Sequence, residues 1–488
     1  MKHPLLKFSI LVVLLLGFSF LSAQEKPADF LKAEFHKTRR DAVRDKMPAN
    51  SVAAFFTNPV RNRANDVDYV YHQDPDLYYL TGYREPHAVL LIFKDKQSNP
   101  NGEDYNEVIF VQPRDARAEM WTGRRLGDKG VQEKLEILNA NNNTLFNEYN
   151  VDFSKFDKVL FFDFQNDVRD NARDEGDLYS LISQFKTKVG YQTNENTLNA
   201  EPQKNNLDVR ALHAIMGELR QIKTPEEIDL LRKAVFISTV GQVEVMKAMK
   251  PGMSETEIQG IHEFVFKKYQ TEFEGYPSIV GAGNNGCILH YVENEKPQIE
   301  SKEMILMDLG AEYRGYTADI TRTIPVDGKF SKEEKAIYDL AYKAQEAAMA
   351  MVKPGTSLND LTNIARKVVN EGLVELGIIE SVDTKHPFFP HGVSHHIGLD
   401  VHDKNIRSPL AENMVFVIEP GIYIPDGSDC DEKWWGIAVR IEDDFLVTKD
   451  GYELLSGYAP RSSDDIEAMM KQKSPLDAFQ VPELKGGN

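Results

Sequence analysis

The chain has 488 residues, of which 41% are hydrophobic and 27% charged, a composition typical of a soluble globular protein. This length exceeds that of a single ordinary hydrophobic core and predicts two domains. The formal net charge of -19 argues against nucleic acid as a partner, because the phosphates would repel the protein.

The first 23 residues have the pattern of a cleavable signal peptide. Lys2 and Lys7 form a positive amino-terminal region, residues 8–20 form an apolar segment, and Ala23 is a small residue at a cleavage point. A membrane anchor is the alternative, but the apolar segment is shorter than the roughly 20 residues that a spanning helix needs. We therefore expect an exported protein, periplasmic or secreted, that is not bound to a membrane after cleavage.

Residues 24–206 are predicted to form a first domain of mixed strands and helices. The runs AVLLIF, EVIFVQ and KVLFFDF have the apolar and β-branched composition of buried strands. Polar loops separate them, and the polar stretch NENTLNAEPQKNN indicates the end of the domain. None of these segments carries a metal or nucleophile signature.

Residues 207–470 are predicted to form a second domain, followed by a tail at residues 471–488. The segment LDVRALHAIMGELRQIK predicts a helix that bridges the two domains. The next segment, TPEEIDLLRKAV, predicts a helix with Thr224 as its N-cap and Glu227 completing a capping box.

The second domain contains an internal repeat. KPGMSETEI at residues 250–258 and KPGTSLNDL at residues 353–361 share the order Lys-Pro-Gly, one residue, Ser, two residues, acid, aliphatic. Each copy predicts a helix end followed by a new helix, with Ser254 and Ser357 as N-caps. Such a short match could arise by chance, but a histidine-bearing segment and then acid-bearing runs follow each copy. The repeat therefore predicts two similar halves that deliver acids to a common centre.

Five side chains in these runs are candidates for a metal site: Asp308, Asp319, His395, Glu419 and Glu442. Four carboxylates that face one cavity raise each other's pKa unless cations offset them. Two divalent ions would supply the missing positive charge, and a set of oxygens with one imidazole suits a metal such as Mn(II). The pattern therefore predicts a dinuclear metal site.

Each candidate has a structural alternative when it is considered alone. Asp308 could cap the turn that follows it, and His395 could be a core histidine. Asp319 could pair with Arg322, and Glu442 could pair with Arg440 on the same strand face. The metal hypothesis rests on all five residues occurring in order along paired segments.

The chain has two cysteines, Cys287 in the apolar run CILHY and Cys430 in a polar loop. Neither lies in a cluster of Cys or His that would indicate a zinc site. We expect two separate free thiols, the first of them buried.

The motifs of the second domain resemble those of the Xaa-Pro aminopeptidase, or aminopeptidase P, family of pita-bread metallopeptidases. The segments that carry the resemblance are MDLGAEYRGYTADITRTIPVDGKF, HGVSHHIGLDVHD, VIEPGIYI and VRIEDDFLVT. DPDLYYLTGYREPHAVLLIF and EMWTGRRLG extend it into the first domain. The resemblance implies an α/β (α+β) fold: a pita-bread catalytic domain with a pseudo-twofold repeat, preceded by a creatinase/prolidase-like amino-terminal domain.

The resemblance also implies a role for individual residues. Asp319 and Glu442 would bridge two metal ions, Asp308 would bind one ion, and His395 and Glu419 would bind the other. The remaining matches are His290 near the substrate amide, His402 beside the tetrahedral intermediate, and His391 and Arg440 around the proline pocket. His396 stands where some relatives carry an aromatic residue.

The expected activity is hydrolytic release of the amino-terminal residue from peptides with proline in second position. Water activated by two divalent ions, most plausibly Mn(II), would attack the carbonyl before proline, with Glu419 relaying the proton. Prolidase acting on Xaa-Pro dipeptides would use the same ligands and is the nearest alternative. Methionine aminopeptidase would not need so large a first domain, and the complete ligand set disfavours a creatine-hydrolysing relative.

A non-catalytic binding module on the same fold is the alternative of a different class, and it would be marked by lost ligands. Here no ligand position is altered. Relatives often form oligomers in which the first domain borders a neighbour's active site, so we expect a homo-oligomer with Asp76 and Trp121 near the cleft.

Overall fold

A computed structural model describes residues 29–99, 102–191, 206–479 and 481. The predicted signal peptide, almost all of the stretch NENTLNAEPQKNN and residues 482–488 lie outside these ranges. Within them, no helix combines the length and the apolar composition that crossing a membrane requires.

The first part of the chain is built on one six-stranded sheet. Its helices are α1 (Ala33–Lys46), α2 (Pro75–Thr81), α3 (Ala116–Thr122), α4 (Gly127–Lys134) and α5 (Leu178–Val189). Its strands are β1 (Ser51–Phe56), β2 (Asn62–Ala64), β3 (Val67–Asp68), β4 (Val89–Ser98), β5 (Asp104–Val111), β6 (Ala140–Asn142), β7 (Lys158–Phe161) and β8 (Leu207–Asp208). The three runs predicted as strands are thus confirmed as parts of β4, β5 and β7.

The strand order in this sheet is β6-β5-β4-β1-β7-β8. Strand β4 is antiparallel to both β1 and β5, whereas β1 and β7, β5 and β6, and β7 and β8 are parallel. Strand β1 and the first half of β4, residues 89–93, are buried on both faces, which explains their nearly continuous apolar sequences. The separate β2–β3 hairpin is exposed.

The second part contains two pairs of long helices and several short antiparallel sheets. Its helices are α6 (Ala211–Gln221), α7 (Pro225–Ala248), α8 (Glu255–Lys268), α9 (Lys332–Met349), α10 (Leu358–Glu375) and α11 (Ser463–Met470). Its strands are β9 (Phe273–Glu274), β10 (Ile279–Ala282), β11 (Met304–Asp308), β12 (Ala311–Tyr313), β13 (Tyr316–Thr317), β14 (Thr321–Pro325), β15 (Val415–Ile418), β16 (Gly421–Ile424), β17 (Ile437–Arg440), β18 (Asp443–Val447) and β19 (Tyr452–Leu454).

The internal repeat appears in the structure as two equivalent helix pairs. Helices α7 and α8 are joined by the first Lys-Pro-Gly turn, and α9 and α10 by the second. Ser254 and Ser357 cap α8 and α10 by accepting backbone N–H bonds from the third residue of each helix. Thr224 and Glu227 form the predicted capping box of α7. The pseudo-twofold architecture expected from the sequence is confirmed.

The two parts share a continuous core, in which α2 of the first part packs against the second. Tyr78 and Tyr79 lie in one apolar cluster with Tyr316, Ile397 and Val415. The Tyr78 hydroxyl donates to the Arg314 carbonyl oxygen at 2.8 Å. This contact holds the first part against the turn that precedes the Asp319 loop.

Candidate metal centre

The four candidate acids lie at the ends of strands. Asp308 is the last residue of β11, Asp319 lies between β13 and β14, Glu419 follows β15, and Glu442 lies between β17 and β18. Antiparallel pairing of β11 with β14 and of β15 with β18 brings the acids of each half together. The sequence predicted Asp319 and Glu442 within strand-like runs, whereas the structure places both in the short breaks between strands.

His395 is the centre of this cluster. Its Nε2 atom lies 3.4 Å from Asp319 Oδ2, 3.7 Å from Glu419 Oε1 and 3.9 Å from Glu442 Oε1. Within the described residues, Asp319, His395 and Glu442 each offer one ligand atom, and these atoms lie within 4.8 Å of one another. Side chains from both halves of the repeat therefore converge on one point, as the sequence predicted.

Tyr276 connects the two aspartates. Its hydroxyl lies 2.6 Å from Asp308 Oδ1 and 2.5 Å from Asp319 Oδ1. Tyr276 lies in the segment GYPSIV, which has no motif of its own, so its role was not predicted from the sequence. Its hydroxyl fixes the spacing of the first pair of carboxylates.

Arg440 supplies one positive charge to the cluster. Its guanidinium donates to Asp308 Oδ2 at 2.6 Å, to the Tyr423 hydroxyl at 2.9 Å and to Thr321 Oγ1 at 3.1 Å. Pairing of Arg440 with Glu442, considered from the sequence, is therefore wrong, because the guanidinium reaches across to the other half.

Arg322 likewise does not pair with Asp319. Its guanidinium donates to Asp443 Oδ1 at 2.6 Å, and neither side chain has any exposed surface. Arg322 also donates to the Glu442 carbonyl oxygen at 2.7 Å. The pairing of Asp319 with Arg322 that was considered from the sequence is thus wrong, and the Asp319 carboxylate belongs to the acid cluster.

The acids differ in how their ionisation is supported. Burial opposes ionisation of Asp308, but the Arg440 guanidinium and the Tyr276 hydroxyl act together against burial, and the Asp308 pKa is lowered. Burial and the neighbouring Asp308 charge raise the pKa of Asp319. Burial raises the pKa of Glu419 to about 7, and burial with the other acids raises that of Glu442 far above its usual range. The positive charge of Arg440 thus does not offset all four carboxylates.

Burial and nearby charges also shift the pKa values of the histidines. Burial lowers the pKa of His395, but its contacts with Asp319 and Glu419 together have the larger effect and raise the His395 pKa to about 9. Burial lowers the pKa of His391 to about 4, and burial with the charge of His395 also lowers that of His402. His391 and His402 are therefore neutral near pH 7 and can each donate one ring N–H.

The other predicted histidines surround the acids. The rings of His395 and His402 meet edge to face with centroids 4.3 Å apart. His391 Nδ1 lies 2.7 Å from the Gly392 carbonyl oxygen, and His391 Nε2 lies 2.9 Å from the Tyr423 hydroxyl. His290 is exposed, and its ring lies close enough to influence the ionisation of both His391 and His402.

The donor set fits a divalent metal. Glu442 is 1% exposed, yet its Oε1 atom has no hydrogen-bond partner in the structure and lies beside the His395 ring. A buried carboxylate oxygen without a donor carries a large desolvation penalty unless a cation binds it. Carboxylates with one imidazole are suitable ligands for such a cation.

The two cysteines lie outside this cluster. Both are free and half-buried, so the expected free thiols are confirmed, although Cys287 is less deeply buried than expected. Burial raises the pKa of Cys287 to about 12.

Comparison with known protein families agrees with this geometry. Residues 36–159 match the family described as the aminopeptidase P N-terminal domain, and residues 229–449 match metallopeptidase family M24. Xaa-Pro aminopeptidase of Escherichia coli is 35% identical over 455 residues, covering 91% of this chain and 98% of the relative. The chain belongs to the aminopeptidase P family of M24 metallopeptidases. The family and the fold predicted from the sequence are confirmed.

Solved structures of this aminopeptidase P family have the same fold. The E. coli enzyme with the inhibitor Pro-Leu aligns with a TM-score of 0.79 and 33% identity, covering 90% of this chain and 98% of that one. The Pseudomonas aeruginosa enzyme aligns with the same TM-score, 32% identity and the same coverage of both chains. A zinc-substituted E. coli aminopeptidase P in complex with product aligns with a TM-score of 0.77, 33% identity and the same coverage of both chains.

Proposed function

We propose that this chain is a metal-dependent aminopeptidase that releases the amino-terminal residue from peptides with proline in second position. The observation that carries the proposal is the convergence of Asp319, His395 and Glu442 from both halves of an aminopeptidase P fold. The relatives that support it are described as Xaa-Pro aminopeptidases.

Two divalent ions bind per chain in this proposal, and Mn(II) suits the donor set best. Asp319 and Glu442 would be shared between the ions, Asp308 would help to hold one of them, and His395 and Glu419 would help to hold the other. The distances around His395 and the unpartnered Oε1 atom of Glu442 support this assignment. Arg440 and Tyr276 hold Asp308 in place from behind.

The bound metal would polarise the carbonyl before proline and lower the pKa of the attacking water. Glu419 accepts the proton of that water and passes it to the proline nitrogen, which must gain a proton as the C–N bond breaks and the amine leaves. In the metal-free site, burial raises the pKa of Glu419 to about 7.

Three histidines around the acids orient the substrate. His402 beside His395, and His290 at the exposed rim, donate N–H bonds to the oxygen that gains negative charge during attack. His391 stacks on the buried Phe389 ring and borders the slot for proline. The guanidinium of Arg440 reaches Tyr423, which contacts His391, so Arg440 supports this wall through another residue.

A peptide such as Arg-Pro-Pro-Gly-Phe tests the proposed specificity. It should release free arginine rapidly, whereas its amino-acetylated form and its form with alanine second should react slowly. Loss of the proline ring should cost about 1–3 kcal/mol, a rate loss of tenfold or more, because the ring fills an apolar slot. Equal cleavage of the proline and alanine peptides would contradict the proposal.

Substrate length separates this proposal from prolidase activity. Rapid cleavage confined to Xaa-Pro dipeptides would establish a prolidase instead. No cleavage of any of these peptides by the metal-loaded protein would favour a binding module.

We infer that the protein is a homo-oligomer in which the first domain of one copy borders the cleft of another. Helix α3 has no buried residue, and the side chain of Trp121 on this helix is 79% exposed. An exposed indole at this position favours burial against a second copy. Light scattering of the wild-type protein should give a multiple of the chain mass, and Trp121→Ala should lower that mass or the peptidase rate. A wild-type monomer would contradict the inference.

We also infer export with removal of the leader. The support is the positive charge of Lys2 and Lys7, the apolar segment at residues 8–20 and the small residue Ala23. Mass spectrometry of the protein from its native cell should find an amino terminus near Gln24, in the periplasm or the medium. An intact Met1 in the cytoplasmic fraction would contradict this inference.

A further inference from the structure

Two fully buried glutamines lie behind the acids, one on each half of the repeat. Gln242 lies on α7 and Gln345 on α9, and both are 0% exposed. A buried primary amide is costly to desolvate unless its polar atoms find partners. The partners of these two amides are backbone carbonyls next to the acids.

Gln242 joins the two segments that carry the aspartates. Its Nε2 atom donates to the Met307 carbonyl oxygen at 3.1 Å and to the Ile320 carbonyl oxygen at 3.0 Å. Met307 immediately precedes Asp308, and Ile320 immediately follows Asp319. One amide group therefore sets the distance between the two backbone segments next to Asp308 and Asp319.

Gln345 makes the corresponding contacts in the other half. Its Nε2 atom donates to the Ile418 carbonyl oxygen at 3.0 Å and to the Ile441 carbonyl oxygen at 3.2 Å. Ile418 immediately precedes Glu419, and Ile441 immediately precedes Glu442. The same amide also lies 2.9 Å from Asp443 Oδ2, which fixes the orientation of the amide.

The two glutamines occupy equivalent positions in the sequence repeat. Gln242 precedes the Lys250 that opens the first copy by 250 − 242 = 8 residues, and Gln345 precedes Lys353 of the second copy by 353 − 345 = 8 residues. Each therefore lies at the same place on the first helix of its helix pair. The match in position, burial and partners argues against a chance arrangement.

The Gln242 amide is not needed only to satisfy the backbone. The Ile320 carbonyl oxygen already accepts a bond from the Leu309 N–H at 3.3 Å, so the Gln242 bond is an additional one. The Gln242 Oε1 atom is buried without a hydrogen-bond partner among the described residues. Its desolvation makes Gln242 less favourable for the free energy of folding than an apolar residue of the same size. The benefit of the amide must therefore lie in the geometry that it imposes.

We propose that Gln242 and Gln345 are positioning residues related by the pseudo-twofold repeat, each holding the two acid-bearing segments of its half at the separation that metal binding requires. This inference rests on the proposed function, because it gives the four acids their role as ligands. Gln242 acts on the Asp308 and Asp319 pair, and Gln345 acts on the Glu419 and Glu442 pair.

The test removes each donor while keeping the side-chain volume. Gln242→Met and Gln345→Met should each weaken Mn(II) binding by about 10–100-fold in calorimetric titration, the range for residues that orient metal ligands. Ser238→Ala on α7 and Tyr338→Phe on α9 are matched controls. They remove buried hydroxyls whose partners, Ala311 N and the Arg461 carbonyl oxygen, are not adjacent in sequence to any of the four acids, and they should leave the Mn(II) affinity unchanged.

Thermal unfolding of the metal-free proteins separates positioning from stability. If the glutamine variants and the controls lose similar stability but only the glutamine variants lose Mn(II) affinity, the inference holds. Wild-type Mn(II) affinity in both glutamine variants would overturn it and leave the proposed function intact. A wild-type protein that binds no divalent metal would instead overturn the proposed function, and this inference with it.

A second pair of variants tests the inference if the methionine variants do not fold. Gln242→Asn and Gln345→Asn keep a buried amide but withdraw it from the carbonyls by one methylene. They should also lose Mn(II) affinity, and unchanged affinity in both would overturn the inference.

Discussion

Two of the buried charge clusters in the described part of the chain are balanced differently. Between the two domains, Asp76 and Asp403 pair with Arg220, Lys223 and Lys404. Arg220 lies 2.7 Å from Asp76, and Lys223 lies 2.8 Å from Asp403. In this domain-interface cluster, each carboxylate contacts two protein cations.

In the candidate metal centre, by contrast, four carboxylates share Arg440 and the His395 ring. Burial is similar in the two clusters, so the difference lies in the charge that the protein supplies. Carboxylates that lack protein cations and converge on one point require a cation from outside. Protein cations thus balance the carboxylates of the domain-interface cluster, whereas they do not balance those of the candidate metal centre.

The largest stability effect should come from breaking the balanced cluster. Asp403→Asn leaves Arg220 and Lys223 buried with one negative partner fewer, so we expect a loss of about 3–5 kcal/mol in the free energy of unfolding. Urea unfolding of metal-free protein measures it. Asp41→Asn is the control, because the Asp41 side chain is 49% exposed and its ion pairs should contribute at most about 1 kcal/mol. Equal effects of the two substitutions would remove the contrast between buried and exposed pairs.

Two substitutions in the candidate metal centre should change the free energy of unfolding of the metal-free protein in opposite directions. Asp319→Asn should stabilise the metal-free protein, because burial and the charge of Asp308 raise the Asp319 pKa. Its folded form holds the proton more tightly, so the penalty for Asp319 is absent at low pH and grows as pH rises above 3.8.

Asp308→Asn is the matched variant and should destabilise the metal-free protein, because it breaks the 2.6 Å pair with Arg440. Urea unfolding at pH 7 compares the two variants. The same sign for both would contradict the account of the charge distribution.

The smallest effect should come from His72, which joins the domains through a 2.8 Å contact with Glu312. Burial lowers the His72 pKa, but Glu312 outweighs burial and raises the pKa above its ordinary value of 6.5. Gln73, Asp400 and the Phe273 ring complete its surroundings. The extra stability is therefore present below pH 6.5 and lost as pH rises through the folded-state pKa.

His72→Gln should accordingly lower the unfolding temperature more at pH 5.5 than at pH 9. The effect should stay below about 1 kcal/mol, since the His72 side chain is 38% exposed. A loss that is independent of pH would show that shape, and not charge, matters at this position.

The repeat, the helix caps and the acids were accessible from the sequence because they are local signals. Thr224, Ser254 and Ser357 cap helices as their spacing predicts, and Asp308 ends a strand. Tyr276 was not predicted, because its partners Asp308 and Asp319 lie 32 and 43 residues away in the chain. The same reason explains the wrong pairings considered for Arg322 and Arg440, whose partners lie in the opposite half of the repeat.

The measurement that tests the account most directly is the metal content and peptidase activity of wild-type protein beside Glu442→Gln. After Mn(II) loading and removal of free metal, wild-type protein should hold about two ions per chain, as bridging carboxylates imply. Chelation should abolish arginine release from Arg-Pro-Pro-Gly-Phe, and added Mn(II) should restore it. Glu442→Gln should lose both ions together with activity. Two retained ions and full activity in Glu442→Gln would contradict the account.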